Sequence, residues 1–276
     1  MVAGLLAVCL ALLSGCSLVG QPRHASLHKA AQAGDLDDMR RHLRAGANVD
    51  ARDEKQMTPL HHAAMYDAAS VGDALIQADA DVDAVDYRGD TPLHWACVFG
   101  AAAMVDVLVD AGASVRVLND AGAAALNTAA TYGHPELIRL LIEADLAQED
   151  GAPPLRREVL RSDRDAVEAA LAEGADPNVT DFAGNTPLHY AAAMGDAALA
   201  RLLLDAGADP DAESACDMRP LHFAASVAPV EVVRLLLDAG AEVEVADTWG
   251  YTPTGRAEKW CREDIVTLLE AHGGRR

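Results

Sequence analysis

A leucine recurs along this chain at a nearly constant interval, and that interval constrains the fold more than any other feature. Counted from Leu27, its equivalents are Leu60, Leu93, Leu126, Leu155, Leu188 and Leu221, with Thr254 in an eighth register. The residue number rises by 33 at every step except one, the step of 29 from Leu126 to Leu155. A fixed period of this length indicates stacked units, because a single unit cannot bury its own apolar face.

The residues around each leucine predict a pair of helices. Thr91 is placed to cap the first helix, and Pro92 occupies its first position, where a missing N–H costs nothing. Gly100 then turns the chain into a second helix with apolar residues at helical spacing. Nineteen residues past the leucine a glycine is expected to end that helix in the left-handed conformation. Asp79 and Asp145 take this place in two units.

The motif T-P-L-H-x-A, at a period of about 33 residues, resembles the ankyrin-repeat family. The resemblance extends from about residue 26 to residue 276. It implies an all-α solenoid of about eight repeats, with repeats starting near 26, 58, 91, 124, 153, 186, 219 and 252. Loops of the form D-x-x-G, such as 86–89, 181–184 and 247–250, are expected to form β-turn fingers between neighbouring units.

The histidine of the motif is predicted to be structural. It recurs in one register, at His28, His61, His94, His189 and His222. Stacked helices lie about 10 Å apart, whereas metal ligands must lie within about 2 Å of a shared ion. These imidazoles therefore cannot form one metal site, and the family resemblance implies that each one hydrogen-bonds a capping turn.

The two ends and the irregular step depart from the pattern. The first unit has Asp38, and the last unit has Glu263 and Glu270, where other units have apolar residues, so both are expected to be polar caps. The shorter step predicts a shortened finger near 146–152, with a local bend or looser stacking. Either a drifted but packed interface or a functional hinge would produce this irregularity.

Charge narrows the choice of partner. The formal net charge is −21, which disfavours nucleic acid and favours an encounter with a basic protein. One basic cluster, Arg156, Arg157, Arg161 and Arg164, lies in the fifth unit. The cluster is expected to make surface ion pairs; a docking point for an acidic partner is the alternative.

The N-terminus resembles a bacterial lipoprotein signal. Leu5 to Leu13 is an apolar run, and Leu13-Ser14-Gly15-Cys16 resembles a lipobox. Residues 1–15 are therefore predicted to be a signal peptide, Cys16 to carry the lipid, and residues 16–25 to link it to the array. The resemblance implies a periplasm-facing protein anchored in the outer membrane; an uncleaved N-terminal membrane anchor and a chance apolar tail are the alternatives. The segment before the run carries no Lys or Arg, so a start codon further upstream is also open.

The sequence lacks four common catalytic and ligand-binding motifs. It lacks a phosphate-binding loop, H-E-x-x-H, a nucleophile elbow and C-x-x-C. Cys97 is predicted to be an inert core thiol, and Cys216 and Cys261 are placed at opposite ends of the helices, too far apart for a disulfide. We expect a chain that is not an enzyme and that needs no metal and no cofactor.

The resemblance implies that a protein partner is bound through the fingers and through the concave face that the first helices form. Six residues past the leucine this face presents Tyr66, Phe99, Tyr132 and Met194, and the fingers present Tyr87, Phe182, Trp249 and Tyr251. These residue types are typical binding anchors. Trp95, Tyr190 and Phe223 are expected to be packing residues. A non-catalytic, monomeric binding module is the predicted function; an immunity-type inhibitor of a basic toxin or enzyme and an envelope scaffold are the alternatives.

Overall fold

The computed structural model describes residues 23–148 and 154–275, and the regular structure in these ranges is entirely α-helical. Sixteen helices form eight pairs, each with an inner helix followed by an outer helix. The first four pairs are α1 (Leu27–Gln32) and α2 (Leu36–Arg44), α3 (Pro59–Met65) and α4 (Ala69–Ile76), α5 (Pro92–Phe99) and α6 (Ala102–Asp110), and α7 (Ala125–Thr131) and α8 (Pro135–Ala147). The last four are α9 (Pro154–Leu160) and α10 (Arg164–Ala172), α11 (Pro187–Met194) and α12 (Ala197–Asp205), α13 (Pro220–Val227) and α14 (Val230–Asp238), and α15 (Pro253–Lys259) and α16 (Glu263–Ala271).

Each inner helix begins one residue after the start predicted for its unit. In the seven units whose preceding residue is described, that predicted start is the N-cap. In α5, Thr91 is the N-cap and Pro92 is the first helical residue. The backbone N–H of Thr91 donates to Nδ1 of His94 at 3.2 Å. Nε2 of the same ring donates to the carbonyl oxygen of Ala123, in the next finger, at 3.0 Å. One imidazole thus caps the start of its own helix and connects two neighbouring units.

The turns between helices use left-handed backbone. Gly34, Gly100, Gly133 and Gly195 have φ between 63° and 71° at the turn between inner and outer helix. Asp67, Ser162 and Cys261 take the same conformation at that turn in three other units, with φ of 50° to 55°. A side chain at such a position crowds the backbone, so these three turns are strained relative to the glycine turns.

The first unit ends the array in a different way from that predicted. Asp38 is fully buried rather than facing solvent. Its carboxylate accepts the backbone N–H groups of Arg23 at 2.5 Å and His24 at 2.8 Å, so it fixes the chain that enters the first unit. At the other end Glu263 and Glu270 are exposed, as a polar cap requires.

The prediction for Asp145 is wrong. Instead of ending the helix in the left-handed conformation, Asp145 lies inside α8, which continues to Ala147 and is 13 residues long. Its carboxylate is buried and accepts Nε of Arg116 at 2.9 Å as well as Nη2 of Arg156. The outer helix of unit 4 is therefore extended at the point where the sequence interval is irregular.

The stack of units is interrupted at this point. The inner helices α1, α3, α5 and α7 pack in order, and so do α9, α11, α13 and α15, which gives a first stack of units 1–4 and a second stack of units 5–8. Helix α7 packs against α13, and α8 packs against α9 and α11. Unit 4 therefore lies across the inner helices of the second stack, rather than simply preceding unit 5 in one continuous solenoid.

Polar and close contacts fix unit 4 in this position. Nδ2 of Asn127 donates to Oδ1 of Asn185 at 3.0 Å, and Oγ1 of Thr131 lies 3.6 Å from Sδ of Met218. A Cβ on Gly133 would lie 2.7 Å from the indole ring of Trp260. Unit 4 thus touches units 6, 7 and 8. The bend predicted near 146–152 coincides with this break, although the predicted finger itself falls partly on residues 149–153, outside the described part of the chain.

Candidate functional site

The predicted concave stripe is divided between the two stacks. Tyr66 and Phe99, at the ends of α3 and α5, are each 51% exposed. The inner helices α7, α11 and α13 are instead buried over almost all of their residues. The open part of the concave face therefore belongs to units 1–3, because unit 4 covers the corresponding face of the second stack.

The two exposed aromatic rings are held by neighbouring side chains. Nε2 of Gln32 donates to the hydroxyl of Tyr66 at 2.8 Å. The ring of Phe99 stacks on Trp95, with centroids 6.0 Å apart and an interplanar angle of 15°. The indole N–H of Trp95 donates to Oδ2 of Asp86 at 3.1 Å. Side chains fixed in this way lose little conformational entropy when a partner binds.

Tyr132 and Met194 are half-buried and take part in contacts between the stacks. The ammonium of Lys259, in unit 8, lies 4.8 Å from the centroid of the Tyr132 ring. Met194 lines a groove of about 470 Å³ between α8 and the ends of α9, α11 and α13. The structure therefore does not join these two residues to Tyr66 and Phe99 in one continuous stripe.

The finger residues differ in their exposure. Tyr87 is 56% exposed and has the most accessible ring of the set. Phe182 is 39% exposed and lies 5.9 Å from the guanidinium of Arg116. Trp249 is half-buried beneath Arg256, at 5.6 Å, and Tyr251 is 37% exposed. Tyr87 alone projects next to the open face of units 1–3.

A repeated contact in four units was not foreseen from the sequence. The residue two positions past the motif leucine, or past Thr254 in unit 8, reaches the first aspartate of its own finger, nine residues earlier. The pairs are His62 with Asp53 at 2.9 Å, Trp95 with Asp86 at 3.1 Å, Tyr190 with Asp181 at 2.5 Å, and Arg256 with Asp247 at 2.6 Å. The constant nine-residue spacing between an aspartate and a hydrogen-bond donor was the available signal. Tyr190 and Phe223 are fully buried, whereas Trp95 is half-buried.

The motif histidines do not converge. Nε2 of His61, His189 and His222 each bonds a carbonyl oxygen of the following finger at 3.0 Å. Burial lowers the pKa of each of these three imidazoles to about 4. The rings are therefore neutral at pH 7 and act as hydrogen-bond bridges between units.

The arginine cluster of unit 5 is not uniformly on the surface. Arg156 is 5% exposed, contrary to the predicted surface pairing, because it inserts between Asp145 and the hydroxyl of Tyr190, which is 3.2 Å away. Arg161 and Arg164 do make exposed ion pairs, with Glu158 at 3.5 Å and Asp196 at 3.0 Å. Arg156 thus belongs to the junction between the stacks.

The three cysteines of the described ranges are free thiols. Cys97 and Cys216 are buried, and burial raises the pKa of both thiols above its usual range. Cys261 is exposed in the turn between α15 and α16. Cys16 lies outside the described residues. Within residues 23–148 and 154–275 no group of three or more His, Cys, Asp or Glu is arranged to hold a metal ion.

Comparison with a protein-family model agrees with this architecture. The family model described as ankyrin repeats in three copies matches residues 27–119, 126–214, 155–247 and 188–274. The crystal structure of the human ASB11 ankyrin repeat domain is similar over 92% of this chain and 100% of that one, with 26% identity and a TM-score of 0.49. A search of curated proteins finds no significant match. The predicted all-α ankyrin solenoid is confirmed, and the chain belongs to the ankyrin-repeat family.

Proposed function

We propose that this chain is a non-catalytic protein-binding module whose partner is held by the open concave face of units 1–3. The observation that carries the proposal is the contrast between the stacks. The concave face of the second stack is filled by unit 4 of the same chain, whereas Tyr66 and Phe99 of the first stack are half exposed. Ankyrin repeats are typical of protein–protein interaction, which supports the same function.

The chemistry of the open face suits protein recognition. Tyrosine and tryptophan are enriched among the residues that dominate binding energy, and Tyr66, Trp95 and Phe99 lie on consecutive inner helices or their ends. Tyr87 extends the surface into the third unit's finger. A partner segment that buries these rings gains apolar contact without reorganising a face that is already fixed by Gln32 and Asp86.

We also propose that the array is attached to a bacterial membrane through a lipid on Cys16. The support is the sequence Leu13-Ser14-Gly15-Cys16 and the apolar run before it. Among the helices that the structure describes, none is long and apolar enough to span a bilayer. Metabolic labelling with a radioactive fatty acid tests the attachment: the label is expected on the wild type and not on Cys16→Ser, and label on both proteins would reject Cys16 as the lipidation site.

Two narrower functions remain alternatives within this proposal. The net charge of −21 favours an inhibitor that neutralises a basic toxin or enzyme, as an immunity protein does. An envelope scaffold would instead bind several partners without inhibiting them. Purification from detergent-solubilised membranes separates them: a single stoichiometric partner that loses activity on binding indicates the inhibitor, and several envelope proteins indicate the scaffold.

Replacement of both exposed aromatic residues tests the proposed surface. Tyr66→Ala/Phe99→Ala is expected to lose the captured partner while its circular dichroism stays that of the wild type. The matched control is Val107→Ala/Leu140→Ala, which removes half-buried apolar groups from the outer helices α6 and α8. Equal capture by the wild type and the Tyr66/Phe99 variant would exclude the open face as the binding surface.

A further inference from the structure

The concave face of units 1 and 2 carries a groove of about 590 Å³ whose lining is rich in positive charge. Lys29 on α1 and both Arg52 and Lys55 in the following finger line it, together with His28 and His62. The whole chain has only three lysines, and two of them lie here. A groove of this size is within the range of sites that bind ligands or side chains of a partner.

The three cations have no acidic partner within residues 23–148 and 154–275. Nζ of Lys29 donates to Oε1 of Gln32 at 3.0 Å. Arg52 donates to two backbone carbonyl oxygens, those of Gln56 at 3.0 Å and Val85 at 2.6 Å. Lys55 is exposed, and its side chain makes no ion pair in the described structure. Neutral oxygens hold the side chains of Lys29 and Arg52 in place without cancelling their charge.

Two acidic residues, Asp53 and Glu54, line the groove, and the carboxylate of Asp53 is occupied by hydrogen bonds to neighbouring groups. Asp53 accepts the backbone N–H groups of Lys55 at 2.8 Å and Met57 at 3.0 Å, and Nε2 of His62 at 2.9 Å. Glu54, at the exposed finger, is the remaining acidic residue of the lining. The positive groups therefore outnumber the free carboxylate at this end of the concave face.

The groove continues into the exposed aromatic surface. Gln32 lines the groove and also donates to the hydroxyl of Tyr66, and Met65 lies on the same wall. Phe99 follows in the next unit along the stack. A segment that crosses units 1 to 3 would thus meet cations first and half-exposed aromatic rings next.

We propose that this groove is the docking site of an acidic protein segment, in which aspartate or glutamate residues meet Lys29, Arg52 and Lys55 and a neighbouring large apolar residue packs on Tyr66 and Phe99. The inference rests on the proposed function and defines the chemistry of its partner. It runs against the whole-chain charge, which favours basic proteins, because the charge at the contact differs from the charge of the entire surface.

The shape and charge of the surroundings separate this occupant from other anions. A flat anionic bilayer would touch the exposed ends of these cations but would not fill a groove of about 590 Å³ between an inner helix and a finger. A polynucleotide would carry its full backbone charge along a chain whose net charge is −21, and it would be repelled. A protruding peptide with a few carboxylates fits a groove and carries much less negative charge than a polynucleotide.

Selection from a random peptide library on phage tests the proposal, with the full chain immobilised. Peptides of about ten residues are long enough to cross three units at about 10 Å per unit. We expect enrichment of aspartate and glutamate beside an aromatic or large aliphatic residue. A synthesised enriched peptide should bind Lys29→Glu/Lys55→Glu about tenfold more weakly, and its affinity for the wild type should fall as salt is added.

Arg40→Glu/Arg44→Glu is the matched control, because it changes the net charge by the same amount on the outer helix α2. Unchanged binding of the peptide by this control is expected, and equal weakening by both variants would overturn the proposal. Enriched peptides without acidic residues that still require Tyr66 and Phe99 would also overturn it, while leaving the proposed function intact. Peptides that require neither pair would contradict both. Tighter binding of single-stranded DNA or of phosphatidylglycerol vesicles, lost in Lys29→Glu/Lys55→Glu, would assign the groove to another anion and reject the peptide.

Discussion

Asn127 and Asn185 are hydrogen-bonded to each other, with Nδ2 and Oδ1 3.0 Å apart, although they are 58 residues apart in the chain and belong to units 4 and 6. Asn127 stands where most other units have the motif histidine. A histidine reaches the finger of the next unit, whereas the shorter asparagine caps its own helix and meets the second stack. The residue that breaks the motif is thus one that joins the two stacks.

Loss of this contact should destabilise the fold. Asn127→Ala removes the bond to Asn185 and the bond from the backbone N–H of Ala124. All three residues are buried. We expect the free energy of unfolding to fall by about 1–3 kcal/mol. Urea denaturation followed by circular dichroism measures it. Gln77→Ala, at an exposed residue just after α4, is the control and should change the free energy by less than about 0.5 kcal/mol.

Glycine substitutions at one repeat position isolate the contact between units 4 and 8. Gly34 and Gly133 both end an inner helix with φ of 63° and 71°. A Cβ on Gly34 would have its nearest neighbour at 3.9 Å, whereas one on Gly133 would lie 2.7 Å from the Trp260 ring. Both alanine variants should lose about 1–2 kcal/mol because of the left-handed backbone. Gly133→Ala should lose more in a thermal or urea unfolding experiment, and equal losses would mean that Trp260 is not at this position.

Stability should fall in mild acid. The imidazoles of His61, His189 and His222 have a pKa of about 4 in the folded chain and about 6.5 when unfolded. At pH values between 4 and 6.5 these imidazoles bind more protons in the unfolded chain than in the folded chain. The free energy of unfolding therefore decreases as the pH drops from 6.5 to 4. Three such groups give a slope of up to about 4 kcal/mol per pH unit. Urea unfolding at a series of pH values measures it; His189→Gln should reduce the slope, and His272→Gln, at an exposed residue, should not.

The cysteines should react at very different rates. Cys261 is exposed, whereas Cys97 and Cys216 are buried with raised thiol pKa values. Alkylation by iodoacetamide at pH 8, read for each cysteine by peptide mapping, should modify Cys261 in the native protein. Cys97 and Cys216 should react only after denaturation. Rapid native modification of Cys97 would show that the inner helices are not packed as described.

The regular period was sufficient to predict the units because the contacts that define a unit are local. Thr91, Pro92, Leu93 and His94 bond or pack within their own unit or the next finger. The position of unit 4 on the second stack could not be predicted in the same way. It depends on contacts such as that of Tyr132 with Lys259, between units 4 and 8, and no periodic pattern relates those residues.

The same limit applies to the candidate site. Tyr66, Phe99, Tyr132 and Met194 share one register, so the sequence alone places them on one face. Tyr132 is set apart from Tyr66 and Phe99 by its contact with Lys259 of the second stack, and Met194 by the break after α8. The irregular interval predicted a local bend or looser stacking. The break between two stacks depends on side chains such as Asp145 and Arg156, whose burial has no signature in the spacing.

Cross-linking between units 4 and 8 tests the central claim that unit 4 covers the concave face of the second stack. Tyr132→Cys/Lys259→Cys, with the other reactive cysteines replaced by serine, is treated with a short bismaleimide that spans about one helix-packing distance, roughly 10 Å. Tyr66→Cys/Phe99→Cys, in adjacent units, is the positive control in either arrangement. The two-stack structure predicts that both pairs are linked within one molecule. In a continuous solenoid units 4 and 8 would lie about 40 Å apart, so a linked control with an unlinked 132–259 pair would contradict the account.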